Sequence, residues 1–107
     1  MSWVYLILAG LLEIVWAVAM KQSAGFTRLA PTLLMAAAMP ASFFLLALAM
    51  RSLPLGTAYM VWTGIGAIGA FTVGVLWLGE SATALRVVAA LLIAGGIILM
   101  KLAGEAA

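Results

Sequence analysis

Four apolar runs limit what this chain can fold into, because about 20 consecutive apolar residues form one helix across the hydrocarbon core of a bilayer. Only 7% of its 107 residues are charged and 68% are hydrophobic, whereas about a quarter of the residues in a soluble domain are charged. We therefore predict an all-α membrane protein with a single four-helix transmembrane domain over residues 1–107. The predicted helices cover approximately residues 3–20, 29–50, 57–78 and 84–102.

Several residue types that carry chemistry are missing from the chain. It contains no Cys, His, Asp or Asn, which excludes a thiol nucleophile, a Ser-His-Asp triad and a Cys/His metal site. The short polar breaks between the apolar runs leave almost no room for a soluble domain, and cations that flank such runs are typical of interfacial anchors. We expect no enzyme active site, no cofactor or metal, and no nucleic-acid partner.

Glu13 interrupts the first apolar run and is the residue that most needs an explanation. An ionisable side chain near the bilayer centre costs roughly 3 kcal/mol on insertion scales, and such residues are functional by default. A structural ion pair would need a basic residue at the same depth. All five cations lie instead near the ends of apolar runs, and they are Lys21, Arg28, Arg51, Arg86 and Lys101. We therefore interpret Glu13 as a binding residue.

Several polar and aromatic residues are candidates to surround Glu13. Positions three and four apart share a helix face, which places Trp16 one turn after Glu13 with an indole donor and a flat wall. Ser42 is the only hydroxyl in the interior of the second run, and Tyr59 and Trp62 share a face of the third. The structural alternatives are an aromatic belt at the membrane interface for the rings, and a bond to its own helix backbone for Ser42.

Glycines and a proline interrupt the later runs. Gly64 and Gly66 are two apart and so lie on different sides of a helix; either a hinge or close helix packing explains them. Gly95 and Gly96 predict a close helix contact and are candidates for dimer packing. Pro40 falls in the middle of the second run, where the lost backbone hydrogen bond is expected to kink the helix unless neighbours restore it.

The cations are almost evenly divided between the two sides of the membrane. With four crossings, Arg51 and Lys101 lie on one side, and Lys21, Arg28 and Arg86 on the other. Because this is nearly no bias under the positive-inside rule, we predict that the chain inserts in both orientations. Two opposed copies would then form the inverted repeat that one chain lacks. The alternative is that three cations against two still fix one topology.

Over essentially its whole length the chain resembles the small multidrug resistance family, and specifically its guanidinium exporter branch. The resemblance implies an antiparallel homodimer of four-helix chains, multi-pass in the cytoplasmic membrane, that exchanges protons for organic cations. It also implies that the acid of the first helix, here Glu13, binds both. The matching stretches are EIVWA at 13–17, GFTRL at 25–29, LPLGTAY at 53–59 and VWTGIGA at 61–67.

The residue three positions after the acid separates the branches of this family. Trp16 resembles the guanidinium branch, whereas the multidrug branch has a small residue there. By the same resemblance, Ser42 and Trp62 belong to a hydrogen-bond network that orients Glu13, and Tyr59 lines or gates the pocket. Pro40 is not part of the pattern, which affects where the second helix places Ser42.

The predicted function is therefore a proton-coupled antiporter that exports guanidinium and small guanidinyl cations. One alternative in the same class is a broad multidrug antiporter for quaternary ammonium cations, which requires a wider pocket beside Trp16. An alternative from a different class is a membrane interaction protein without transport activity, in which Glu13 pairs with a basic residue of a partner.

Overall fold

The fold is formed by four α-helices, each long and apolar enough to cross a membrane. The computed structural model describes residues 1–106, with the side chains of residues 1–103; Ala107 lies outside the described residues. The prediction of four membrane-spanning helices is confirmed. Their ends differ from the predicted ones by a few residues, and they are α1 (Ser2–Gln22), α2 (Leu29–Ala49), α3 (Leu55–Trp77) and α4 (Ala84–Ala106).

The helices form a thin layer in the order α2, α1, α3, α4. The Cα atoms extend over 45 × 34 × 16 Å. Helix α1 packs along both α2 and α3, while α4 packs mainly on α3. Small residues allow the close approach of α1, α2 and α3, since Ala9, Ala49 and Ala58 are completely buried, beside the larger Leu6 and Trp62. The core therefore lies among the first three helices, and most of α4 is exposed.

The turn between α1 and α2 is held by Ser23, which is fully buried. Its Oγ donates a hydrogen bond to the Met20 carbonyl at 2.6 Å and accepts one from the Phe26 amide at 3.0 Å. The backbone then passes through the left-handed region, with φ of 50° at Ala24, 75° at Gly25 and 67° at Phe26. Glycine adopts this region without a steric cost, as expected for Gly25.

Pro40 lies inside α2, which continues as one helix from Leu29 to Ala49. Its ring is on the exposed side of the helix, whereas Ser42 is buried. The proline therefore does not turn Ser42 away from the core. Because proline has no amide hydrogen, the Ala36 carbonyl loses its intrahelical donor at this point.

Gly64 and Gly66 both lie at close helix contacts, each with a different neighbour. A Cβ at Gly64 would lie 2.8 Å from Ile97 Cδ1 of α4, and a Cβ at Gly66 would overlap the Glu13 side chain of α1. Two glycines two positions apart thus serve two different interfaces. Packing accounts for their presence; the hinge stays a prediction.

Gly95 and Gly96 make no comparable contact within the described chain. A Cβ at either position would meet no atom within 4 Å. Gly96 lines an apolar cavity of 550 Å³ between α3 and α4, together with Tyr59 and Gly64. The close contact predicted for the glycine pair is therefore not made inside one chain, and its role in dimer packing stays a prediction.

Candidate functional site around Glu13

Glu13 lies near the middle of α1 and points toward α3. It lies eleven positions after Ser2, which at 1.5 Å per residue places it about 16 Å along the helix. Its carboxylate rests on Gly66, where the Cβ of any other residue would overlap it. Oε1 is buried, and no described residue forms a hydrogen bond with it. An unpaired buried oxygen is costly, which points to a partner from outside the described chain.

No basic side chain of the described residues lies at the depth of Glu13. Lys21 is in the last turn of α1, Arg86 is in the first turn of α4, and Arg28 and Arg51 are in the turns. Lys101 lies near the end of α4, where its Nζ sits 5.2 Å from the ring centre of Trp3. The structural ion pair considered as an alternative for Glu13 is therefore not formed within the described chain.

A buried hydrogen-bond chain joins α1, α2 and α3 one turn before Glu13. The Trp62 indole N–H donates to Ser42 Oγ at 3.0 Å, and the Ser42 hydroxyl donates to the Ala9 carbonyl at 2.7 Å. Ser42 thus bonds the backbone of another helix rather than that of its own. In an α-helix the carbonyl of residue 9 also accepts the amide hydrogen of residue 13. The chain of bonds therefore ends at the backbone position that carries Glu13.

Four aromatic rings line the neighbourhood of this hydrogen-bond chain. The ring centres of Trp16 and Phe43 are 6.2 Å apart, with an interplanar angle of 73°. Phe43 and Trp62 are 5.8 Å apart, and Tyr59 and Trp62 are 5.7 Å apart. Such separations are typical of favourable aromatic pairs. The structure thus brings Trp16, Tyr59 and Trp62 together, although they lie far apart in the sequence.

Phe43 connects the aromatic rings and was not predicted from the sequence. It is 46% exposed and lies in an apolar helix, where one more hydrophobic residue carries no signal. Its position beside Ser42 is the only feature that could have indicated it.

The indole nitrogen of Trp16 is unusual. Its Nε1 is buried, and no described residue accepts a hydrogen bond from it.

The unpaired atoms and the rings define what this site can do chemically. An unpaired carboxylate oxygen at Glu13 can accept a proton or hydrogen bonds from a cation, and the faces of indole rings attract cations. The Trp16 indole N–H, one turn away, can donate to an acceptor. The fold and the site together define a small multi-pass membrane protein with one acid at mid-depth, one helical turn from Trp16.

Comparisons with known proteins identify the family. The family model described as Small Multidrug Resistance protein matches residues 1–93. The chain is 55% identical over 103 residues to a guanidinium exporter of Yersinia pseudotuberculosis, covering 96% of this chain and 99% of that protein. It is 56% identical over 102 residues to guanidinium exporters of Salmonella typhimurium and Escherichia coli, covering 95% of this chain and 97% of theirs. The chain belongs to the Small Multidrug Resistance family, which confirms the resemblance.

We predict that Ser42→Ala destabilises the protein by about 1 kcal/mol, a usual value for a buried hydrogen bond between membrane helices. The substitution leaves the Trp62 indole N–H without an acceptor. Unfolding in mixed detergent micelles measures the effect. Thr72→Val is the matched control, because the Thr72 hydroxyl bonds only the Ile68 carbonyl of its own helix and its loss should be nearly neutral. Equal effects of both substitutions would contradict a stabilising role for the interhelical bonds.

Proposed function

We propose that this protein is a proton-coupled antiporter that exports guanidinium and small guanidinyl cations across the cytoplasmic membrane. The observation that carries the proposal is the Glu13 carboxylate, which is held at mid-depth against Gly66 with a buried oxygen that no described residue satisfies. Relatives 55–56% identical to this chain are guanidinium exporters, which supports guanidinium as the cation.

Guanidinium suits this site because it is a planar cation that carries only hydrogen-bond donors. A carboxylate accepts two parallel hydrogen bonds from such a group. The Trp16 and Trp62 rings lie on either side of Phe43, and ring faces attract a cation that has lost its water. A flat ion fits beside rings more easily than a tetrahedral quaternary ammonium. The substrate would therefore be selected by hydrogen bonding and by shape.

Protons and guanidinium compete for Glu13, and this competition couples their movements across the membrane. The carboxylate binds either a proton or the cation, and each removes its net charge. An empty site would carry an uncompensated charge through the membrane interior, which is costly, and so only the loaded forms change sides. One ion must then enter for the other to leave, which is antiport.

An antiparallel homodimer would provide the two sides of the transport cycle. The backbone of α4 lies close to α3 alone, and Gly95 and Gly96 face open space, so most of this helix is free to pack on a second copy. Two identical chains in opposite orientations can exchange conformations, which opens the site to the other side. Gly64 and Gly66 are candidate hinges for this exchange, with Tyr59 near one end of α3 as a candidate gate.

The dimer proposal predicts that the C-terminus is found on both sides of the membrane. The charge balance of two cations against three does not fix one orientation. Tags added after Ala107 and labelled with an impermeant reagent in intact cells should be about half accessible. Adding two lysines to the turn at residues 79–83 provides the control, since five cations on that side against two on the other should shift the population to one orientation. A single orientation of the unaltered chain would overturn the antiparallel arrangement.

The proposed function is tested with liposomes that contain only this protein. We expect guanidinium uptake when the lumen is acidic relative to the outside, and almost none without a gradient, because protons leaving the lumen drive cation entry. Tetrapropylammonium at the same concentration should not compete, since it has no hydrogen-bond donors. Strong competition would favour the multidrug alternative, and no uptake by folded dimers would favour a non-transporting interaction protein.

A further inference from the structure

A second cavity lies on the side of α1 that faces away from Glu13. It has a volume of 580 Å³ and is lined by residues of α1, α2 and α3. At about 100° per residue, Val15 and Val18 point roughly 160° and 140° away from Glu13 around the helix axis. The cavity, which we name the back groove, is therefore separate from the site described above. Its apolar wall includes Val15, Val18, Leu34, Val73 and Trp77.

The mouth of the back groove carries its only charged residue, Arg28, together with Gln22. Gln22 is the last residue of α1, and Arg28 directly precedes α2, so both lie at the membrane interface. Within the part of the chain that the structure describes, the guanidinium of Arg28 pairs with no carboxylate and donates no hydrogen bond. A positive charge therefore lies at the interfacial end of the apolar back groove.

The length of the back groove matches one leaflet of a bilayer. Its lining extends from Ile14 to Gln22 along α1, which is about 12 Å at 1.5 Å per residue. Half of a hydrocarbon core of about 30 Å is about 15 Å. The groove therefore runs from the interface nearly to the midplane, parallel to the direction of an acyl chain.

We propose that the back groove binds one acyl chain of an anionic phospholipid, whose phosphate is held by Arg28. The charge at the mouth selects the lipid, because arginine forms paired hydrogen bonds with phosphate. In an anionic lipid no positive group of the headgroup offsets the attraction between the phosphate and Arg28. Gln22 can donate a further hydrogen bond to the headgroup. Lipid binding in the back groove does not depend on transport activity. In an antiparallel dimer the two copies would hold one such lipid in each leaflet.

The test measures quenching of Trp77 by lipids with brominated acyl chains, using the full-length protein in detergent micelles. Trp77 is 75% exposed and lines the groove, and its signal is the difference between the native protein and Trp77→Phe. Half-maximal quenching should need about fivefold less phosphatidylglycerol than phosphatidylcholine, the usual effect of one interfacial arginine on an anionic lipid. Arg28→Gln should abolish this preference.

Two further variants separate the proposal from its alternatives. Arg51→Gln removes a cation at the opposite end of the helices and should leave the preference unchanged. Ala30→Phe keeps Arg28 but fills the groove mouth that Ala30 lines, and should raise the phosphatidylglycerol requirement at least fivefold. Equal quenching by both lipids in the native protein would show that lipids occupy the groove without any preference for the headgroup. No Trp77-dependent quenching would show that another surface, such as a second copy, covers it; either result overturns the proposal.

Discussion

Glu13→Gln should reduce proton-driven guanidinium uptake at least a hundredfold, to the level of liposomes without protein. The amide keeps the shape of the side chain that packs on Gly66, but it carries no charge and cannot exchange a proton. A hydrogen bond to a charged group is worth about 1.5–3 kcal/mol. The substitution weakens the two hydrogen bonds that each carboxylate would accept from guanidinium. Because the same group would carry both ions, binding and coupling should be lost together.

Two measurements distinguish this result from misfolding. Size-exclusion chromatography and thermal unfolding should be unchanged or improved, since the variant no longer places an ionisable group at mid-depth. Glu80→Gln is the matched control, because Glu80 is an exposed acid in the turn between α3 and α4, and its uptake should equal that of the native protein. Proton-driven uptake by well-folded Glu13→Gln would show that another group carries the protons.

The four helices could be predicted from sequence, and Glu13 could be singled out as a candidate binding residue, because both inferences depend on the bilayer as solvent. The length of an apolar run and the cost of a buried charge do not depend on which helix packs against which. The placement of Trp16 on the face of Glu13 follows from helical periodicity alone. These predictions required no knowledge of tertiary contacts.

The contacts between helices could not be predicted, because the helices are apolar on all sides. Lipid and protein interior are equally apolar, and so no hydrophobic stripe marks the face that packs. The sequence therefore gave no sign that Ser42 would bond the Ala9 carbonyl, that Phe43 would join the aromatic rings, or that Gly66 would face Glu13. The resemblance named Ser42 and Trp62 without indicating the bond between them.

Gly66→Ala should lower guanidinium uptake at least tenfold and destabilise the protein by about 1–3 kcal/mol, the usual cost of overpacking. The added methyl group would occupy the space of the Glu13 carboxylate, and so one of the two groups must shift. Either the carboxylate moves away from α3 or α1 and α3 separate. Both changes displace the acid from its contact with α3, so the variant tests whether the position of Glu13 matters as well as its charge.

Gly56→Ala is the matched control for this prediction. It makes the same substitution in the same helix, but no atom lies within 4 Å of the new methyl group, and so uptake and stability should stay close to native. Combining Gly66→Ala with Glu13→Asp gives a stricter test, because the shorter acid leaves space for the methyl group and should restore part of the lost stability. If Gly66→Ala alone transports normally, the carboxylate does not need its contact with α3, and Gly66 serves a different purpose, such as the proposed hinge.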